Sequence, residues 1–374
     1  MVKQRKKIED GDVETTENSE LGDLMSQVNK SMGDRFIIPA KKLPDFTVVD
    51  SGIFLLDYAL LGGLGQSSIN MIYGYEASGK TTVALRYIAG AQRKYPDKKA
   101  LFVDLEGTFD CLWAEACGID LDRLYVARPD TGEQAVDMIE GAMLANDASI
   151  IVMDSMPALS PSKILTKSAE DATMAERARL LGTLCTKCLS AISKGSKKGH
   201  RPIFLMINQF RTNIATMFGD KRMLPGGQQP KYACRTMIEI KKVKEHLVKS
   251  ESGSEIVDYN DVAFKIKKHK SGMGIAAGEF KLVRNATNEL GSAAIDEVQA
   301  VSNIARKYSL QTGAGSSHKL VDVDEKFTRL SEVYSYLLSN NSYYLNLKRA
   351  LISMRRQELG MSATPKDGYL LSWS

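Results

Sequence analysis

The sequence predicts an α/β fold with a mostly parallel, twisted sheet and antiparallel strands at one edge. Between residues 50 and 208, short apolar runs that suit buried strands alternate with segments of helical periodicity. Alternating units of this length are typical of parallel strands joined by crossover helices. Three strand-like segments then follow without a helix between them, at 236–243, 261–268 and 279–284, and they predict the antiparallel edge.

The composition indicates a globular protein of two or three domains in a reducing compartment. The chain has 374 residues, of which 43% are apolar and 25% are charged. No apolar run approaches the ~18 residues of a membrane span, so we expect no membrane association. Five cysteines lack a framework spacing, and the basic N-terminus has no apolar stretch behind it. Both observations favour the cytoplasm over secretion.

The first 49 residues are predicted to lie outside the main domain. Residues 1–18 are strongly charged and have almost no large apolar side chains, so we predict a disordered arm. Residues 19–49 are predicted to form a short amphipathic helix followed by a linker. One such helix cannot bury its own apolar face, so we predict that it serves oligomerisation. Its apolar residues are Leu21, Leu24, Met25, Val28 and Met32.

Residues 50–288 are predicted to form the core, and residues 289–374 a small C-terminal α+β domain. The C-terminal part has helical patterns, few strand signals and a Gly/Ser-rich stretch at 312–317. In the core, the predicted strands are 68–73, 99–105, 149–153 and 202–207, and the predicted helices are 80–94, 132–145 and 171–194.

A complete phosphate-loop pattern, G-x-x-x-x-G-K-T, lies between the first of these strands and the first helix. Its glycines let several backbone N–H groups face one point, and the helix N-terminus adds partial positive charge. Lys80 would reach the β- and γ-phosphates of ATP, and the Thr81 hydroxyl would bind Mg²⁺. A chance glycine turn is the alternative, and the Lys-Thr pair and both flanks disfavour it. The loop residues are Gly74, Tyr75, Glu76, Ala77, Ser78, Gly79, Lys80 and Thr81.

Polar residues follow three further strands, and the carboxyl ends of parallel strands meet at one edge of a sheet. Asp154 is predicted to hold Mg²⁺ through water, with a simple capping role as the alternative. Glu106 could orient and deprotonate a water molecule; Asp104, one pleat further back, is its rival. Gln209 could sense the γ-phosphate. For Glu106 and Gln209, an ordinary surface position is the alternative.

Six segments occur in the order and spacing of one known family. They are GYEASGKTT at 74–82, RPDTGEQA at 128–135, IIVMDS at 150–155, INQFR at 207–211, MFG at 217–219 and GG at 226–227. With these segments the chain resembles the RecA recombinases, ATP-dependent DNA strand-exchange proteins of bacteria and their phages. The resemblance covers roughly residues 20–300 and implies a RecA-like P-loop NTPase core. The EGTF segment at 106–109 looks more like the archaeal and eukaryotic recombinases.

The resemblance implies roles around ATP and Mg²⁺. The loop 74–82, including Thr82, and Asp154 match the family's phosphate and metal site, and Glu106 matches its catalytic base. Asp110 and Trp113 match residues that lie against adenine, with tryptophan in place of the usual tyrosine. Gln209 matches the residue that couples the γ-phosphate to the second DNA loop. A last matching pair reaches the ATP of the neighbouring subunit and neutralises charge there: Lys268 and Lys270.

The resemblance also implies self-association into a helical filament that binds single-stranded and double-stranded DNA. Two loops, 161–179 and 210–230, would face the DNA, and residues 191–222 carry a net charge of +6. Met174 and Ile214 match apolar wedges between base triplets. Met174 also fits a core-facing stripe at 174–192, so core packing is its alternative. The residues implied in DNA binding are Met174, Arg179, Arg211, Ile214, Phe218, Gly226 and Gly227.

The expected function is ATP-dependent homologous pairing and strand exchange, with DNA-dependent ATP hydrolysis. Two alternatives stay open: a ring-shaped helicase or DNA motor on the same fold, and a regulator that binds ATP without hydrolysing it. Glu106 and Gln209 disfavour the regulator, because a pure binder needs neither.

Some residues depart from the family. Asn213 and Thr186 stand where basic residues are usual, and the tail has one acidic residue. They indicate a diverged member of bacterial or phage origin. The pair Cys185-x-x-Cys188 is predicted to be buried packing, with a zinc or redox site as the weaker alternative.

Overall fold

The computed structural model describes residues 20–32, 47–162, 174–197, 201–212, 222–250, 252–270 and 276–361. The chain forms two compact units, residues 1–45 and 46–374. In the first unit the structure describes one helix, α1 (Glu20–Met32), where the sequence predicts it. Leu21 and Leu24 on this helix are exposed. The predicted arm 1–18 lies outside the described residues.

The second unit contains the remaining elements. The strands are β1 (Val48–Val49), β2 (Leu64–Gly65), β3 (Ser68–Gly74), β4 (Lys99–Asp104), β5 (Leu124–Ala127), β6 (Ala148–Asp154), β7 (Ile203–Gln209), β8 (Arg211–Thr212), β9 (Arg222–Met223), β10 (Thr236–Lys249), β11 (Glu255–His269), β12 (Ala277–Val283), β13 (Ile295–Asp296), β14 (Gln311–Ala314) and β15 (Ser317–Leu320). The helices are α2 (Phe54–Ala59), α3 (Lys80–Lys94), α4 (Cys111–Ala116), α5 (Gly132–Leu144), α6 (Met174–Lys197), α7 (Gln229–Ala233), α8 (Val298–Lys307), α9 (Leu330–Ser339) and α10 (Asn341–Glu358). None of these helices, nor α1, is long and apolar enough to cross a membrane.

The central sheet confirms the predicted α/β class. Its order is β13-β12-β11-β10-β3-β7-β6-β4-β5, and the six strands from β10 to β5 are parallel. The segment at 236–243 was expected in the antiparallel edge, but from Thr236 to Ile240 it pairs in parallel with β3. The other edge of β10 pairs antiparallel with β11, so the expected antiparallel pairing begins there and continues through the β11–β12 and β12–β13 pairs. Charged residues from Lys241 onward leave no apolar pattern, which is why the full length of the β10–β11 hairpin escaped prediction.

Alternating residues of the central strands supply two apolar layers. Ile72, Val152 and Leu205 pack towards α3 and α4 on one face. Met71 and Met206 pack towards α5 and α6 on the other. Burial on both faces explains the continuous apolar runs in the sequence. The second layer also contains two fully buried cysteines that fit the packing interpretation: Cys185 and Cys188.

The C-terminal elements form a third apolar cluster, which includes Phe54 of α2. The Gly/Ser-rich stretch 312–317 forms most of β14, the turn at 315–316 and the start of β15. Glu297, which is 4% exposed, joins α2 to α10. Its carboxylate accepts hydrogen bonds from the Phe54 N–H at 2.7 Å and from Lys348 Nζ at 2.6 Å. On α3, Arg86 donates to the Ala293 carbonyl. The phosphate-loop helix is thereby connected to the start of the C-terminal elements.

Candidate functional site

The loop between β3 and α3 has the backbone geometry of a phosphate cradle. It spans residues 75–79 and delivers the N-terminus of α3 to the carboxyl end of the sheet. A Cβ at Gly74 would lie 2.0 Å from the Ile240 carbonyl oxygen, so only glycine lets β3 and β10 run side by side here. Ala77 takes a left-handed φ of 53°, a strained conformation that concentrates at functional sites.

Two side chains at the phosphate loop are buried: Ser78 of the loop and Lys80 at the start of α3. The Lys80 ammonium donates a hydrogen bond to the Tyr75 carbonyl. Burial lowers the pKa of Lys80, and the negative charges of Asp154, Glu106 and Glu76 partly oppose this shift. Ser78 Oγ is buried and has no hydrogen-bond partner among the described residues. An anionic ligand with several oxygens fits both groups, because it offers an acceptor to the hydroxyl and a counter-charge to the ammonium.

Thr81 and Asp154 meet at the phosphate loop. Thr81 Oγ1 donates to Asp154 Oδ2 at 2.6 Å. Burial raises the pKa of Asp154 to about 6, and the hydrogen bond from Thr81 opposes the rise. The described residues contain no cluster of three His, Cys, Asp or Glu side chains that could hold a metal alone. One hydroxyl and one carboxylate suit a hard cation such as Mg²⁺ that takes its other ligands from water and phosphate.

Glu106 lies between the ends of three strands. Its carboxylate accepts from Ser155 Oγ, just after β6, and from Gln209 Nε2, at the end of β7, at 3.0 Å. The rival Asp104 is buried and accepts from the Thr108 and Phe109 N–H groups at 3.1 and 3.2 Å, so it shapes the loop after β4. Ser155 was missed, although its position directly after Asp154 was a usable signal.

A cavity of about 620 Å³ extends from the phosphate loop to Trp113. Asp110 accepts from the Trp113 N–H at 3.1 Å and caps α4, while Trp113 Nε1 donates to Thr82 Oγ1 at 3.1 Å. The Arg284 guanidinium lies 4.4 Å from the Trp113 ring centroid. The β10–β12 side of the cavity was missed by sequence reasoning, and no motif marks it; it includes Lys242, Glu245, Val257, Asn260 and Arg284.

The start of the second predicted DNA loop is fastened to the phosphate loop. The Phe210 N–H donates to the Gly74 carbonyl at 3.1 Å, and the Phe210 ring lies 5.2 Å from the Tyr75 ring. The Arg222 guanidinium lies 5.2 Å from the same Phe210 ring. Phe210 lies before the segment 213–221 and Arg222 lies directly after it, so the two flanks of this segment meet at the Phe210 ring. The flanks also pair as strands, because β8 pairs with β9 through Arg211 and Met223.

The predicted DNA-facing residues are only partly described. Arg179 and Arg211 are exposed. Gly226 and Gly227 have φ of 102° and 78°, and a Cβ at Gly226 would lie 2.8 Å from Met156 Cε. Met174 is the first residue of α6, but its side chain is not described. The other predicted contacts, Ile214 and Phe218, lie outside the described residues.

Lys268 and Lys270 do not line the chain's own cavity. The backbone N–H of Lys270 donates to the Arg235 carbonyl, which places it near the start of β3 and away from the phosphate loop. Lys268 donates to the Lys231 and Tyr232 carbonyls at 2.6 and 3.1 Å. Partial burial, with the nearby Lys270 charge, lowers the pKa of Lys268.

Comparison with known proteins gives one consistent family. The RecA N-terminal domain family matches residues 19–287. A protein named Protein RecA from Francisella tularensis is 30% identical over 359 residues, 93% of this chain and 94% of the relative. Its namesake from Clostridium acetobutylicum is 33% identical over 264 residues, 70% of this chain and 72% of the relative. That from Symbiobacterium thermophilum is 35% identical over 237 residues, 63% of this chain and 64% of the relative.

Proposed function

The chain belongs to the RecA family, and from this premise we propose that it is a DNA-dependent ATPase that polymerises on single-stranded DNA. Its function is ATP-dependent recombination and strand exchange. We place it in the cytoplasm of a bacterial cell, as the product of a bacterial or phage gene. The observation that carries the proposal is the contact between Glu106 and Gln209, because it joins the proposed catalytic base to the strand that leads into a DNA loop.

At the ATP site each described residue has a separate task. Bound Mg²⁺, held by Thr81 and Asp154, would supply positive charge at the phosphates. Lys80 neutralises phosphate charge, and the backbone N–H groups of residues 75–79 orient the triphosphate. Glu106, fixed by Ser155, accepts a proton from the attacking water.

DNA binding is proposed to depend on nucleotide through two contacts at the end of β7. Gln209 reaches Glu106, and Phe210 reaches the backbone and the ring of the phosphate loop. A γ-phosphate that moves Gln209 or Phe210 also moves the residues that flank the segment 213–221. A ligand shifts an equilibrium only by its differential affinity for two states, so ATP must favour the DNA-binding state more than ADP does.

A filament is proposed because two lysines that the RecA resemblance assigns to an ATP site do not line the cavity of their own chain. Lys268 and Lys270 lie away from the chain's own cavity, where they are available to the ATP of a neighbour. The exposed Leu21 and Leu24 suit docking on another subunit. A head-to-tail contact that does not close produces a helix.

The first test is loss of the phosphate-loop charge. We expect Lys80→Ala to abolish ATP hydrolysis and strand exchange, because the buried ammonium is lost. Hydrolysis is measured with and without single-stranded DNA, and Lys94→Ala at the far end of α3 is the matched control. Near-normal turnover by Lys80→Ala would remove the basis for the ATPase assignment.

Electron microscopy with single-stranded DNA and a non-hydrolysable ATP analogue separates the proposed recombinase from the ring motor. Open helical filaments are expected. Closed six-membered rings would instead support a helicase or packaging motor built on the same fold.

A further inference from the structure

Both predicted DNA loops end against one helix. The loop 161–179 runs into α6, and the loop 210–230 runs into α7, whose first residue is Gln229. Just before this point the second loop comes close to α6, because a Cβ at Gly226 would lie 2.9 Å from Leu181 Cδ1. The end of the second loop is therefore packed on the helix that begins at the end of the first.

Gln229 joins the two elements by hydrogen bonds. Its Nε2 donates to the Gly182 carbonyl at 3.2 Å and to Thr186 Oγ1 at 3.1 Å. The Thr186 hydroxyl donates to the same Gly182 carbonyl at 3.0 Å, so the three groups form a closed set. A Cβ at Gly182 would lie 2.6 Å from Gln229 Oε1, so a glycine here leaves room for the amide. We call Gly182, Thr186 and Gln229 the loop clasp.

The loop clasp uses a position where the sequence departs from the RecA family. Thr186 stands where a basic residue is usual, and a hydroxyl offers no positive charge to DNA phosphates. Thr183 on the same helix provides a comparison, because its Oγ1 donates to the Arg179 carbonyl at 3.2 Å. Within the part of the chain that the structure describes, Thr183 makes no hydrogen bond to α7. The Thr186 hydroxyl differs in that it connects two elements.

We propose that the loop clasp makes the two DNA loops one unit, so that single-stranded DNA held by one loop is also held by the other. The inference rests on the proposed DNA-binding function and adds how its two loops cooperate. Fixing a loop on a ligand costs conformational entropy. When the ends of the loops are joined, this cost is common to both, and the contacts of one loop alone do not offset it. Arg179 and Arg211 are exposed, one on each loop, and report on the two sides.

A double-mutant cycle on the two arginines measures this cooperation. Affinity for a fluorescently labelled oligothymidylate is measured by anisotropy with a non-hydrolysable ATP analogue. The salt concentration is kept constant, because phosphate contacts depend on salt. With the loop clasp intact, the double variant Arg179→Ala/Arg211→Ala should lose about five- to tenfold less affinity than the product of the two single losses. In a Gln229→Ala background, the double loss should equal that product.

Substitutions at Thr186 separate the hydrogen bonds of the loop clasp from a general effect on folding. Thr186→Ser keeps the hydroxyl and should keep the non-additivity. Thr186→Val has nearly the same shape without the hydroxyl and should reduce it. Thr183→Ala is the matched control, since it removes a hydroxyl from the same helix without touching α7, and the cycle should be unchanged.

The outcomes also separate this inference from the function on which it rests. Additive losses in the parent, or non-additivity that survives Gln229→Ala, would overturn the proposal. A parent whose affinity for DNA is unaffected by either arginine substitution would overturn it as well, because the two loops would then not hold the DNA. A parent that does not bind the oligonucleotide would instead contradict the DNA-binding function itself.

Discussion

Glu106 shows how much of the proposed chemistry depends on single hydrogen bonds. Ser155 and Gln209 both donate to its carboxylate, so the side chain is held between β4, β6 and β7. Two hydrogen-bond donors fix the direction of the carboxylate. The residue is thereby ready to accept a proton without a rearrangement of its own.

We expect Glu106→Gln to bind ATP and DNA but to hydrolyse ATP about 10²–10⁴-fold more slowly, because an amide cannot accept the proton of the attacking water. Single-turnover hydrolysis and filter binding measure the two properties separately. Asp104→Asn is the comparison: Asp104 shapes the loop after β4, so a change there should alter stability and nucleotide affinity together. A Glu106→Gln protein that fails to bind ATP would make Glu106 structural.

Gln209 is expected to transmit the state of the site to DNA. Gln209→Ala should keep basal ATP hydrolysis but lose its stimulation by single-stranded DNA, because the contact with Glu106 is removed. The measurement is the ATPase rate with and without DNA for both proteins. Stimulation equal to that of the parent would show that the Glu106–Gln209 contact does not couple the sites, even in a functional recombinase.

At residue scale, the sequence predicts those site residues that occupy short motifs or strand ends. The loop 74–81, Asp154 and Glu106 could be placed because parallel strands align their ends. Asn260 and Arg284 could not, because nothing in the sequence shows that a hairpin about 150 to 170 residues after Trp113 folds against it.

At the scale of elements, amphipathic helices were predicted best. The predicted bounds of α3 are those observed, because its apolar face and its glycine-rich start leave little freedom. The β10–β11 hairpin was predicted least well. Beyond Ile240 it has no parallel neighbour in the sheet, so its side chains are mostly exposed and lack the alternation that marks a strand.

The hydrogen bonds of Glu297 with Phe54 and Lys348 predict that this residue stabilises the folded protein. Glu297→Ala should lower the free energy of unfolding by about 3 kcal/mol, since it leaves the half-buried ammonium of Lys348 and the Phe54 N–H without their partner. Urea denaturation measures the change. Lys307→Ala removes an exposed ion pair between α8 and α10 and should leave the midpoint unchanged. Equal effects would mean that Glu297 does not join the elements.

For the whole molecule, the distance of Lys268 and Lys270 from the chain's own cavity predicts sites shared between subunits. Lys80→Ala and the double variant Lys268→Ala/Lys270→Ala should each be inactive alone. Mixed in equal amounts, they should regain about one quarter of the parent's DNA-stimulated ATPase, because random head-to-tail assembly completes that share of sites. A mixture as inactive as its components would place the two lysines outside the neighbour's site.

The strand order of the sheet also determines when the nascent chain can fold. β3 leads into the phosphate loop, yet both its neighbours, β7 and β10, lie more than 120 residues later in the chain. At ~5–20 residues per second, the ribosome delivers them on the order of ten seconds after β3 has been made. Until then the apolar residues of β3 have no sheet to join and are exposed to aggregation or to chaperones. A polypeptide released before residue 236 would therefore carry the whole phosphate-loop motif and still lack the β10 carbonyl against which Gly74 packs.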